Sequence, residues 1–98
     1  MEIAGEGHIA QFGSRFPGIK NGLDRWASVV EQADWKNTAE MKKTFRKADV
    51  VGKQTLFDIG GNKCRLIAII HYGTRRVLVQ HVLTHGEYDR GRWKHRGS

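Results

Sequence analysis

Near its C-terminal end the chain places a His, a Glu, a Tyr and an Asp within five residues, in the stretch VLTHGEYDR from Val82 to Arg90. A histidine with an unperturbed pKa of about 6.5 can give or take a proton at neutral pH. Thr84 and Glu87 have the Thr-x-x-Glu spacing of a capping box, in which two side chains satisfy two backbone amides at a helix start. Thr84 is then the N-cap and His85 the first helical residue. Tyr88 and Asp89, three and four residues on, share its face. The amides of a helix start attract anions. Two readings stand side by side: an ordinary strand end followed by a helix cap, or an anion site with a His and a Tyr at its edge.

A second polar cluster, GNKCR from Gly61 to Arg65, lies 20 residues upstream. Between the two, the chain is rich in Val, Ile, Leu and Thr and punctuated by Gly, which predicts three strands, Gln54–Ile59, Lys63–Tyr72 and Arg75–Leu83. Gly60-Gly61-Asn62 and Gly73-Thr74 supply the turns. A two-residue turn at Gly73-Thr74 sets a register: Tyr72 opposite Arg75, His71 opposite Arg76, Arg65 opposite Val82, Lys63 opposite Thr84, and Asn62 beside His85. A slip of one residue would carry these side chains to the other face. In this register the two polar clusters meet at one end of the sheet.

The N-terminal half has a different period. Met1–Gly5 reads as a short edge strand. His8, Ile9, Phe12 and Phe16 predict a helix over Glu6–Phe16, ended by Pro17-Gly18. Ile19, Leu23, Trp26, Ala27, Val30 and Ala33 predict a second over Ile19–Ala33. Thr38 is the expected N-cap of a third, Ala39–Arg46, with Met41 and Phe45 inward. Helices, then an antiparallel meander, then a short helical end make the fold class α+β. At 98 residues the expectation is one domain spanning the chain.

The formal charge of +7 points to a polyanionic or acidic partner, nucleic acid first and an acidic protein second. No basic amphipathic helix of useful length favours a membrane. Cys64 is the only cysteine, so no intrachain disulfide forms. No apolar run suits a transmembrane helix or a signal peptide, and the cytoplasm is the expected compartment. His71, His81, His85 and His95 do not make a metal set, since His81 points to the face opposite Thr84. Cys64 shares a strand face with Leu66, Ala68 and Ile70, which favours burial over nucleophilic chemistry. IGGNK joins two strands and is not a phosphate-binding loop before a helix.

The residues from ADVVG through TLFDIGGNKCRLIAII to THGEYD resemble the HigB-type toxins of bacterial type II toxin–antitoxin pairs. Those are RelE-like, ribosome-associated mRNA interferases. The likeness extends upstream to ADWKNTAEMKK and to Trp26, and the pairing of GNKxRL with THxEYD at this spacing is what makes it specific. It implies a RelE-like, microbial-ribonuclease-type domain with N-terminal helices packed on a small antiparallel sheet, a short C-terminal helix, and RNA cut on the concave side. It also implies a HigA-type helix-turn-helix antitoxin, with operator DNA reached only through that antitoxin. The implied partners are mRNA and the ribosome, with no membrane. The motif positions are Asn62, Lys63, Arg65, Thr84, His85, Glu87, Tyr88 and Asp89. The sequence departs from the pattern at Asp58, where Asn is common, at Cys64, where an aromatic is common, and at Arg46, where Pro is frequent after Phe45.

RNA carries its own nucleophile, the 2′-OH, so cleavage needs a base, an acid and positive charge on the phosphorane, with no metal or cofactor. His85 is the expected general acid or base. Arg65 has the planar fork that matches phosphate oxygens. Tyr88 could donate a proton or stack on a base, and these three form the expected catalytic set. Asn62 and Lys63 would orient substrate, with Lys63 a point charge. Lys53 and Arg75 are expected to touch the RNA backbone, as are Lys42, Lys43, Arg46, Lys47 and Arg76. Trp26 and Trp35 read as core or interface residues rather than stacking platforms. The alternative is a non-catalytic basic protein that binds RNA or ribosomes and is neutralised by an acidic partner.

Overall fold

A computed structural model describes residues 1–60, 64–84 and 86–87. The order is β1 (Glu2–Ala4), α1 (Glu6–Arg15), a 3-10 turn (Pro17–Ile19), α2 (Lys20–Gln32), α3 (Thr38–Thr44), β2 (Asp49–Val51), β3 (Gln54–Ile59), β4 (Cys64–His71) and β5 (Arg76–Thr84). The α+β class holds. The short helix expected after Thr84 shows only Gly86 and Glu87 in helical conformation, and its remainder lies outside the described residues.

The sheet corrects the expected meander in two ways. Among the described residues it has five strands in the order β1-β5-β4-β3-β2, and it is mixed, because β1 runs parallel to β5 while the other pairs are antiparallel. The first strand fills the open edge beside the last one. Gly5 lets the chain turn from that edge into α1: its φ is 83°, and a Cβ there would meet the Val79 carbonyl oxygen at 2.5 Å. The strand that sequence patterning missed, β2, is three exposed residues with no alternation to read. It hairpins into β3 through Gly52, at φ 61°, and Lys53.

A break in the ladder corrects the expected register. Near the turn the pairing is as expected, His71 opposite Arg76 and Ala68 opposite Val79. Past a bulge it shifts, with Ile67 opposite His81, Arg65 opposite Leu83 and Cys64 opposite Thr84. Arg65 therefore does not meet Val82, and Thr84 pairs with Cys64, while Lys63 lies outside the described residues. Gln80 is the extra residue. A bulge of this kind lets two neighbours point to one face, so the alternation resumes with Val82 inward and Leu83 outward.

The helices cover one face. Leu23, Trp26 and Val30 of α2, Phe12 of α1 and Met41 of α3 pack on Phe57, Ile59, Cys64, Leu66, Ala68, Val77 and Val79, all buried. His8, expected on the inner face of α1, is exposed. Four rings run edge to face through the core, Trp35–Phe45 at 5.7 Å, Phe45–Phe57 at 5.0 Å and Phe57–Trp26 at 5.4 Å. Trp26 and Trp35 are both buried in the core. The N-cap of α3 is Asn37, not Thr38. The Asn37 side chain accepts from the Glu40 amide at 2.9 Å, while the Thr38 hydroxyl takes the Tyr72 hydroxyl at 3.3 Å. The Met1 ammonium donates to the Val30, Glu31 and Ala33 carbonyls at the end of α2, satisfying acceptors that a helix end leaves open.

Candidate active site

Among the described residues no helix covers the second face of the sheet, and this helix-free face carries Asp49 and Val51 from β2, Gln54, Leu56 and Asp58 from β3, Arg65, Ile67 and Ile69 from β4, and Leu78, Gln80, His81 and Leu83 from β5. This follows from the pairing and from the core cluster on the opposite side. Its centre is apolar: Leu56 and Ile67 are buried, with Leu83 packed on them. The Gln54 amide donates to Gln80 Oε1 at 2.8 Å, so strands β3 and β5 are joined over the top of β4.

Arg65 sits at the start of β4 on this face. Its Nε lies 2.8 Å from Asp58 Oδ1 on the neighbouring strand, and its Nη1 lies 3.6 Å from Asp49 Oδ2 one strand further out. The Arg65 side chain is 17% exposed and that of Asp58 19%, while Asp49 is largely in solvent. The inner pair is therefore mostly withdrawn from water, where Coulomb attraction is little screened. A cavity of about 330 Å³ opens on the Asp58 side, lined also by Thr44, Arg46 and Lys47.

Across the strand end lies the cap. The Glu87 amide donates to Thr84 Oγ1 at 3.2 Å, and the Thr84 amide donates to Glu87 Oε1 at 3.1 Å. This is the reciprocal pair that the Thr-x-x-Glu spacing predicts. With Cys64 opposite Thr84, the ends of β4 and β5 lie side by side, and Arg65 follows directly after. Arg65 is thus one residue from the rung that Thr84 closes, but it pairs with Leu83, and its side chain lies on the face opposite that of Cys64 and Thr84. Asn62, Lys63, His85, Tyr88 and Asp89 lie outside the described residues.

Two other expected substrate contacts are elsewhere. Lys53 is in the β2–β3 turn. Arg75 is in the β4–β5 turn, with φ 58° and an ion pair to Asp34 at 3.2 Å. Both turns are at the other end of the sheet, about 20 Å along the strands from Arg65 at the usual rise per residue. Lys42, Lys43, Arg46, Lys47 and Arg76 are exposed.

Cys64 is fully buried, and burial, helped by the charge of Asp58, pushes its thiol up to about 11. A thiol that holds its proton this tightly is a poor nucleophile. Among the described residues no three His, Cys, Asp or Glu side chains group closely enough to hold a metal ion. No helix among them is long and apolar enough to cross a membrane. Sequence reading did not assign Asp49 or Asp58 a part in the site.

Residues 19–91 match the family described as HigB_toxin, the RelE-like toxic component of a toxin–antitoxin system. The chain belongs to the HigB toxin family. The match spans the cap, Arg65 and the core helix carrying Trp26, and the family's description makes its members the toxic half of a pair with an antitoxin. Similar proteins include an mRNA interferase HigB of Escherichia coli O6:H1 strain CFT073. It is 28% identical over 92% of this chain and 90% of its own length. The mRNA interferase toxin HigB of Escherichia coli K12 is 23% identical over 91% of this chain and 88% of its own. An mRNA interferase HigB of Shigella flexneri has the same identity and coverage.

Proposed function

We propose that this HigB-family chain is a metal-independent endoribonuclease that cuts translated mRNA on the ribosome and so arrests growth in the cytoplasm. The observation that carries this reading is the place of Arg65. It stands near the start of β4, one residue from the rung at which Cys64 pairs with Thr84 of the capping box. The relatives named as mRNA interferases supply the substrate class.

In this reading the 2′-OH of the RNA attacks the adjacent phosphorus and the 5′-oxygen leaves, giving a 2′,3′-cyclic phosphate and a 5′-OH. Arg65 stabilises charge on the phosphorane. His85 and Tyr88 move the protons, and Asn62 and Lys63 orient the phosphate. Lys53 and Arg75, far from Arg65, serve the RNA backbone or ribosomal RNA beyond the scissile bond. A HigA-type helix-turn-helix antitoxin neutralises the toxin and links it to operator DNA.

The test is induced expression in bacteria of the wild type, His85→Ala and Arg65→Ala, with transcript 5′ ends mapped. New ends confined to translated messages are expected with the wild type. His85→Ala should lose about 10²–10⁴ in rate and Arg65→Ala about 10²–10³. Ribosome binding by the wild type without new ends would replace the reading with that of a non-catalytic basic binder.

A further inference from the structure

A guanidinium intended for phosphate would be expected to meet solvent with its charge uncommitted. Arg65 instead reaches two carboxylates, both on the β3 side of its strand. Asp58 Oδ1 is 2.8 Å from Nε, both atoms shut off from solvent, and Asp49 Oδ2 is 3.6 Å from Nη1. The three side chains together carry one net negative charge. That arrangement has two opposite consequences for an incoming RNA phosphate. The carboxylate on Nε fixes where the planar group lies, which favours the transition state, because a misplacement of about 1 Å can cost about 10²-fold in rate. It also repels the phosphate, which weakens the hold on substrate.

We propose that Asp58 is a positioning residue for Arg65, setting the guanidinium against the sheet while weakening RNA binding, with Asp49 as a weaker second partner. The proposal rests on the endonuclease reading of the site. Sheet geometry supports it independently of burial. Asp58 and Arg65 are direct cross-strand partners, and Asp49 lies opposite Leu56, one residue along that face from Asp58. Carboxylates on two successive strands therefore lie on one side of the arginine, at positions that the backbone pairing fixes. Asp58 also borders a cavity lined by Arg46 and Lys47, so a phosphate backbone drawn to those cations would meet its charge.

The two consequences separate in two substitutions. Asp58→Asn keeps the shape and an acceptor oxygen but removes the charge. Asp58→Ala removes both. In cleavage assays on programmed ribosomes, Asp58→Ala should lower kcat about 10- to 100-fold, and Asp58→Asn should recover most of that loss. Asp58→Asn should also lower KM several-fold. Asp49→Asn, at the longer distance, should lower KM less and leave kcat nearly unchanged.

A second readout does not depend on cleavage. Binding of a 2′-O-methyl RNA oligonucleotide, which lacks the nucleophile, should be several-fold tighter with Asp58→Asn than with the wild type. That gain should vanish in the Arg65→Ala background. A gain that persists without Arg65, or an Asp58→Ala protein with wild-type kcat and KM, would overturn the proposal. Equal loss of kcat in both Asp58 variants at matched thermal stability would do the same. Absence of cleavage by the wild type would refute the endonuclease reading separately. The dependence of the binding gain on Arg65 would still decide whether Asp58 governs that side chain.

Discussion

Cys64 lies opposite Thr84 at the last rung of the β4–β5 ladder, one residue out of step with the pairing that the hairpin turn sets at His71 and Arg76. The offset is Gln80. Because Gln80 and His81 both point to the helix-free face, removing Gln80 would leave a regular ladder with every other side chain on its present face. Deletion of Gln80 is therefore expected to fold, with a loss confined to its bond to Gln54 and of about 1 kcal/mol. Deletion of Val82 should be far worse, since it would exchange the faces of Leu83 and Thr84. Bulges add twist and re-aim the chain beyond them, so the Gln80 deletion should cut cleavage at least about 10-fold while its melt stays close to wild type. Denaturation and cleavage of the two deletion proteins, measured together, check this.

That bulge was written in the sequence. In RVLVQHVLT the inward apolar residues run Val77, Val79, then Val82, a spacing of three where a regular strand has two, and the polar pair Gln80-His81 sits at the break. Reading the turn alone carried the register straight through. Helix positions were legible because Leu23, Trp26 and Val30 repeat with a clear period and all three are buried. Strand β3 was legible because Gly52 and Gly60 bracket it. Strand β2 was not, since three exposed residues at an edge carry no pattern, and with it Asp49 escaped notice as a neighbour of Arg65. The parallel pairing of β1 is a tertiary choice that no local period encodes. The capping box was legible because its chemistry is local, two residues three apart bonding each other's amides.

The cap itself can be probed. Thr84→Ala removes the oxygen that accepts from the Glu87 amide and should destabilise the protein by about 1 kcal/mol. Thr84→Ser keeps that oxygen and should stay within a few tenths of a kcal/mol of wild type, about the spread among good capping residues. Cleavage should follow the same order, because Thr84 fixes the chain that leads into His85. Urea titrations with cleavage assayed well below the unfolding midpoint separate the two effects. Full activity in Thr84→Ala would mean that the cap does not position the site.

Cys64 gives a prediction in pH. Its thiol is raised from an ordinary 9.0 to about 11 by burial first and by the charge of Asp58 second. The folded protein thus holds the thiol proton more tightly than the unfolded chain does. The stability linked to that proton is complete below about pH 9 and is lost as pH rises towards about 11. Lys and Tyr side chains titrate over the same range, so the comparison must be with Cys64→Ala, in which those groups remain. The gap in unfolding free energy between the wild type and Cys64→Ala should narrow from pH 9 to pH 11. At neutral pH the buried thiol should react with iodoacetamide far more slowly than in the denatured chain. Rapid alkylation of the folded protein, or a gap that stays constant to pH 11, would place the thiol in water and would undo both the inward facing of Cys64 and the pairing with Thr84 that sets it.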